Sequence, residues 1–240
     1  MPTLSQAVQL VKLLPQPGAA SAFRTWKPFS ITSFQMLRTL HALGLRPRTV
    51  IDAGANIGQF ARAAAETFPE AHVVSFEALP EVAARLRANL ADCARVTTVE
   101  SAVGNEDGTL TFYRNAYDLA SSALPAADGA ARTEPLEVPV GRLDTLLRDH
   151  TLPAPVLLKL DLQGYELEAL RGATETLTRV DHVLLEVAFV SSYLGEATFD
   201  ELYAFLREAG FRFRQPIDVL TDDDGAIVQM DALFEREMAR

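Results

Sequence analysis

From Thr49 onward the chain alternates short apolar runs with stretches of helical period. "TVIDAG", "HVVSFE", "RVTTVESAVG", "VLLKLDLQG" and "HVLLEVAF" are short, apolar and bounded by polar or turn residues, as strands are. "VLLKLDLQG" is apolar almost throughout up to Asp161, the mark of a strand covered on both faces. Between the runs, "GQFARAAAETF", "PEVAARLRANLA", "YELEALRGATETL" and "TFDELYAFLREAG" read as helices. Pro80 stands in a first turn, where a missing N–H costs nothing. Thr198 and Glu201 are spaced as a capping box, and Gly210 ends that helix. Strand and helix alternate through short links, which predicts a parallel sheet with helices on both faces.

The flanks differ. Residues 1–48 read as helical with breaks, an extension or lid ahead of a main domain at 49–240. Pro15, Pro17 and Gly18 end a first helix. Ile31, Phe34, Leu37, Leu40 and Leu43 recur at three-residue steps along a second, with Ser30 or Thr32 as its cap and Gly44 as its stop. "GTLTFYR" and "PLEVPVGRL" are strand-like and flank a Gly/Ala/Ser-rich stretch, Ala116 to Ala131, read as a long loop. "FRFRQ" and "IDVLTDDDGAIVQMD" suggest a closing antiparallel pair with Asp224-Gly225 in the turn.

At 240 residues the chain can stand on a single core. A net charge of −10 argues against a general nucleic-acid binder, which needs clustered Lys and Arg. The single cysteine, Cys93, excludes a disulfide framework within the chain and a multi-cysteine zinc site. No run reaches the roughly 18 apolar residues of a membrane span. The apolar part of the N-terminal "MPTLSQAVQLVKLLPQPG" is short, interrupted by Lys12 and preceded by no basic region, so the segment reads as a capping helix rather than a signal peptide. A cytoplasmic location is the default expectation.

The chemistry concentrates in "VIDAGANIGQF". Asp52 ends a buried strand, and Gly54, Asn56 and Gly58 lead into a helix. In an open parallel sheet, ligands bind beyond the carboxyl ends of strands. Glycines there admit close backbone approach, and the helix start offers N–H donors. The spacing D-x-G-A-N-x-G lacks the middle glycine of a dinucleotide fingerprint, and no Lys-Ser/Thr follows Gly58 as in a P-loop. Glu77 ends the next strand, where an acid can accept from both hydroxyls of a ribose. The alternative for Glu77 is a cap on the following helix.

Five segments occur in order: "VIDAGANIGQFARAA", "VVSFEALPE", "VESAVGNEDGTLTFY", "GRLDTLL" and "LLKLDLQGYELEALRGATETL". Together with "HVLLEV" and "VQMDALFER", they resemble the FkbM family of S-adenosylmethionine-dependent methyltransferases. The most specific part is the D-x-Q/E-G-x-E-x-x-x-L-x-G-A pattern from Asp161. The resemblance implies an α/β class I methyltransferase fold: a Rossmann-like, seven-stranded, mostly parallel sheet with a reversed final strand. It implies S-adenosyl-L-methionine as cofactor and a hydroxyl acceptor on a small molecule or sugar. By the same resemblance, Gly54, Ala55, Asn56 and Gly58 shape the methionine end with Asp52 at its edge. Glu77 holds the ribose, Ala78 and Leu79 flank the adenine, and Ser101, Ala102 and Val103 close it. Gln163 stands where many members carry Glu.

Asp161 and Glu186 each end an otherwise apolar strand, and in the expected order those strands are neighbours. They are candidates to orient an acceptor hydroxyl, take up its proton or hold a divalent cation. Lys159, two residues before Asp161, faces the same way. It is either that acid's salt-bridge partner or a base with a lowered pKa. Ser121 and Ser122 are candidate acceptor contacts. Trp26, Phe23 and Phe29 read as packing, His182 as structural, His41, His72 and His150 as solvated or unremarkable, and Asp222-Asp223-Asp224 as a turn. Two rivals remain open: a nucleotide-binding (NAD-type) oxidoreductase, and a module that binds the cofactor without turnover.

Overall fold

The computed structural model describes residues 18–114, 121–127 and 134–237. The helix expected before Gly18 and most of the Ala116–Ala131 loop therefore lie outside the described residues. Among the described residues, ten strands fall into two sheets. The larger joins β1 (Thr49–Ala53), β2 (His72–Glu77), β3 (Val96–Glu100), β7 (Val156–Leu160), β8 (His182–Ala188), β9 (Phe211–Thr221) and β10 (Ile227–Arg236). Its order is β3-β2-β1-β7-β8-β10-β9. The first five strands run parallel, and β10 is antiparallel to both its neighbours. The order reverses between β1 and β7, the switch point at which an open α/β sheet binds its ligand.

Successive residues of a strand face opposite sides, and the core divides accordingly. Ile51, Val74, Leu158 and Leu185 bury one face against α6 (Glu166–Arg171), α7 (Thr174–Leu177) and α8 (Phe199–Glu208). Val50, Val73, Leu157 and Leu184 bury the other, against α2 (Ile31–Ala42) and α3 (Gln59–Thr67). The short helix α1 (Ala19–Thr25) precedes α2, and α4 (Pro80–Asn89) links β2 to β3. Ser30 Oγ caps α2 by accepting from Ser33 N, and Leu37 and Leu40 of that helix are fully buried in the main core. Trp26 packs on Phe29 and Phe34. The capping box of Thr198 and Glu201 is present.

Four elements depart from the sequence reading. The third strand does not run on through Val103. It stops at Ser101, whose N–H donates to the Glu77 carbonyl. β4 (Ala102–Val103) then turns away to a second sheet with β6 (Glu134–Gly141) and β5 (Gly108–Arg114), in the order β4-β6-β5. The segment "GRL" leaves β6 and enters α5 (Leu143–Leu146).

The helix expected over "YELEALRGATETL" is two, broken at Gly172-Ala173. The backbone of Gly172 lies against Gly104, where an added Cβ would stand 1.9 Å from its carbonyl oxygen. Asp144 then restarts the helix, accepting from Thr176 N and Glu175 N. "FRFRQ" and "IDVLT" are one strand that passes through Pro216, tolerated because β9 is an edge. In the hairpin turn Asp222 Oδ1 accepts from Asp224 N and Ala226 N.

Candidate active site

The glycine loop is shaped by packing. Gly54 has φ +81°, and an added Cβ would lie 1.9 Å from the Asp161 carbonyl oxygen. Only glycine lets the ends of β1 and β7 come this close. Asn56 is left-handed at φ 48°, and its Oδ1 accepts from Ile57 N at 2.7 Å. At Gly58, φ +97°, a Cβ would meet Leu86 and Leu90 at 2.9 Å. Gly58 therefore seats α4 on the loop.

Glu77 ties the loop to the next strand. Its Oε2 accepts from Asn56 N at 2.9 Å and its Oε1 from Leu79 N at 3.0 Å. Burial raises its pKa, against the lowering effect of those backbone donors. A carboxylate offers about four acceptor positions, so further ones remain for a ligand's hydroxyls.

Two cavities meet here. The first, about 250 Å³, lies between the glycine loop and the small sheet. Gly54, Asn56, Glu77, Ala78, Leu79, Ser101, Ala102 and Val103 line it, as do Phe76, Leu110, Phe112, Ser121, Leu162 and Tyr165. The second, about 570 Å³, is more open and lies over the α2–α3 face, against the β9–β10 hairpin. Ala55 lines only this one, with Ser30, Gln59, Phe60, Lys159, Gln229 and Met230 among its walls. Asp52 and Gly58 line neither cavity, while Gly54, Asn56, Asp161 and Glu186 line both.

Asp52 is fully buried beneath the loop. It takes a bond from Ser75 Oγ at 3.3 Å and lies 3.4 Å from Lys159 Nζ. Lys159 Nζ also lies 3.2 Å from Asp161 Oδ2 and donates to the Gly54 carbonyl at 3.3 Å. Burial alone would lower the lysine's pKa, but the charges of Asp161 and Asp52 outweigh it and raise the pKa. A base role for Lys159 is thereby corrected: the side chain is held as a cation, in the salt bridge that was its other reading.

Asp161 and Glu186 are brought together by Gln163, whose backbone is left-handed at φ 55°. Its Nε2 donates to Asp161 Oδ1 at 2.9 Å and to Glu186 Oε1 at 3.4 Å. Its Oε1 accepts from Tyr193 Oη at 2.9 Å. A glutamate here would have no proton-bearing nitrogen to share between two acids. Burial, then the charges of Asp161, Glu166 and Asp231, push Glu186 up to about 9. Burial also pushes Asp231 and Glu166 up to about 7.

The remaining candidates separate. Ser121 lines the first cavity. Ser122 instead fixes the loop after β7, donating to the Gln163 carbonyl at 2.6 Å and accepting from Leu124 N. Glu166, not anticipated, accepts from Leu162 N in that same loop. The alternation of Leu110 and Phe112 in "GTLTFYR" was visible in the sequence, but not which cavity that face serves. Among the described residues, no group of three or more His, Cys, Asp or Glu side chains is arranged to hold a metal ion.

The chain matches the methyltransferase FkbM domain over residues 52–213. It belongs to the FkbM methyltransferase family. The 31-O-demethyl-FK506 methyltransferase FkbM of Streptomyces tacrolimicus is 32% identical over 204 residues, covering 71% of this chain and 75% of its own. The 2-O-methyltransferase NoeI of Sinorhizobium fredii is 28% identical over 184 residues, 71% of this chain and 75% of that one. The hexuronic acid methyltransferase AglP of Haloferax volcanii is 28% identical over 138 residues, 57% of this chain and 54% of that one. This FkbM member is an S-adenosylmethionine-dependent methyltransferase. The oxidoreductase alternative falls with that membership.

Proposed function

We propose that S-adenosylmethionine occupies the first cavity, that the acceptor enters the second, and that a methyl group passes to an acceptor hydroxyl where the two meet. The observation that carries this reading is that Gly54, Asn56, Asp161 and Glu186 line both cavities. The first cavity fits the cofactor chemically. Leu79, Leu110 and Phe112 give apolar walls for a flat base, and Glu77 keeps acceptor positions for a ribose diol. When bound, the cofactor supplies an electrophilic methyl on a cationic sulfur.

The chain's own residues do the rest. Transfer needs the acceptor oxygen held about 3 Å from the methyl and in line with the departing sulfur. Asp161, ion-paired with Lys159 and fixed by Gln163, accepts the acceptor's hydroxyl hydrogen bond and takes up its proton. Glu186, which keeps its own proton to about pH 9, donates to the acceptor instead. Lys159 steadies the Asp161 charge. Asp52, in this reading, acts from beneath through Lys159 and touches neither ligand.

The segment before β1, read as a lid, contributes Ser30, Thr32, Ser33 and Met36 to the second cavity. Among the described residues no helix is long and apolar enough to cross a membrane. A cytoplasmic setting suits the free thiol of Cys93.

Calorimetry with S-adenosylhomocysteine and an acceptor screen for its release test the division of labour. Asp161→Asn should bind S-adenosylhomocysteine almost as the parent does while turnover drops about a hundredfold or more. Loss of that binding, or near-parental turnover, would contradict the assignment.

A further inference from the structure

Strand register sets four acids in a row. Asp231 of β10 stands opposite Asp218 of β9 on one side and opposite Glu186 of β8 on the other. Leu160 pairs with Leu185, so Asp161 and Glu186 follow as neighbours. All four line the second cavity. Like charges directly opposite one another weaken a sheet, and the proton that Glu186 keeps relieves the row of part of that repulsion.

Among the described residues lining this cavity, Lys159 is the only cation. Its charge is already held by Asp52 and Asp161, and its side chain is 8% exposed. An anionic group entering the cavity therefore meets the acid row with no cation available to it. The other polar walls, Ser30, Gln59 and Gln229 among them, are uncharged. Phe60, Met230 and Val219 add apolar surface. Hydroxyl, amide and carboxyl groups beside apolar side chains match a molecule whose hydroxyls both donate and accept around a C–H face.

We propose that the second cavity selects an uncharged, hydroxyl-rich acceptor of sugar size and turns away acceptors bearing carboxylate, phosphate or sulfate. This rests on the two-cavity reading above. It also separates this chain from the relative named for hexuronic acid. The raised pKa values of Glu186 and Asp231 agree with it. At neutral pH Glu186 keeps its proton and Asp231 does so in part, so the row presents donors as well as acceptors.

The test uses full-length protein saturated with S-adenosylhomocysteine, after calorimetry has shown that this ligand binds. Matched methyl glycosides and their uronates (glucoside with glucuronide, galactoside with galacturonide, mannoside with mannuronide) are titrated at low salt and followed by NMR. We expect at least one neutral glycoside to bind about tenfold or more tighter than its uronate. Asp218→Lys, at an exposed edge-strand position outside the cofactor cavity, should narrow that ratio by about fivefold without altering S-adenosylhomocysteine binding. Uronates binding as well as their neutral partners, or a ratio unmoved by Asp218→Lys, would overturn the charge selection. S-adenosylhomocysteine binding with no glycoside bound would overturn the sugar-sized acceptor and leave the cofactor cavity standing. Absence of S-adenosylhomocysteine binding would instead remove the two-cavity reading, and the acceptor proposal with it.

Discussion

Lys159 Nζ lies 3.2 Å from Asp161 Oδ2, and the same ammonium is 3.4 Å from the buried Asp52. One cation thus joins the acid beneath the glycine loop to the acid where the cavities meet. Removing it leaves Asp52 buried without a counter-charge. Lys159→Met should cost about 3–5 kcal/mol in urea unfolding, the usual penalty for breaking a buried pair from one side. Adding Asp52→Asn should recover part of that loss. A single-variant cost below about 1 kcal/mol, the range of surface pairs, would show that the bridge does not hold the loop.

The raised carboxyls give the stability a defined pH slope. Glu186 is pushed from 4.5 to about 9, Asp231 from 3.8 to about 7 and Glu166 from 4.5 to about 7. Between each pair of values the folded chain keeps a proton that the unfolded chain has released. Unfolding therefore becomes easier as pH rises. The contribution of Glu186 is fully present below pH 4.5 and is lost as pH climbs toward 9. We expect the unfolding midpoint to fall steadily between those limits, and Glu186→Gln, which copies the neutral form, to flatten the fall. Identical slopes in parent and variant would contradict the assignment of this titration to Glu186.

Glu77 supports the loop as well as facing the cavity, because both its oxygens hold backbone N–H groups. Glu77→Gln turns an NH₂ toward one of those donors. Hydrogen bonds to a charged group are worth about 1.5–3 kcal/mol, so S-adenosylhomocysteine affinity should weaken about tenfold or more. Folding stability should fall too, which a residue touching only the ribose would not cause. Calorimetry and urea unfolding on one preparation separate the two effects. Unchanged affinity with lowered stability would reduce Glu77 to a helix and loop support.

Local pattern carried much of this fold. The strand "HVVSFE" and the capping box of Thr198 and Glu201 depend on neighbours within a few residues, and both appear as read. Asp161 and Glu186 stood out because each interrupts an apolar strand. Asp231 did not, since "VQMDALF" gives no sign that its acid faces two others. That requires the register of β10 against both β8 and β9. The break at Gly172 was equally hidden, because its cause is the Gly104 carbonyl 68 positions earlier (172 − 104). The second sheet escaped for the same reason: β4 pairs with β6 across a long intervening segment.

The division into a cofactor cavity and an acceptor cavity is tested most directly by a crystal structure with S-adenosylhomocysteine bound. We expect density for the adenosyl group between Leu79 and Phe112, ribose hydroxyls on Glu77, and the sulfur directed at the junction of Gly54 and Asp161. Density for the ligand in the cavity lined by Gln59, Asp218 and Gln229 would contradict the account.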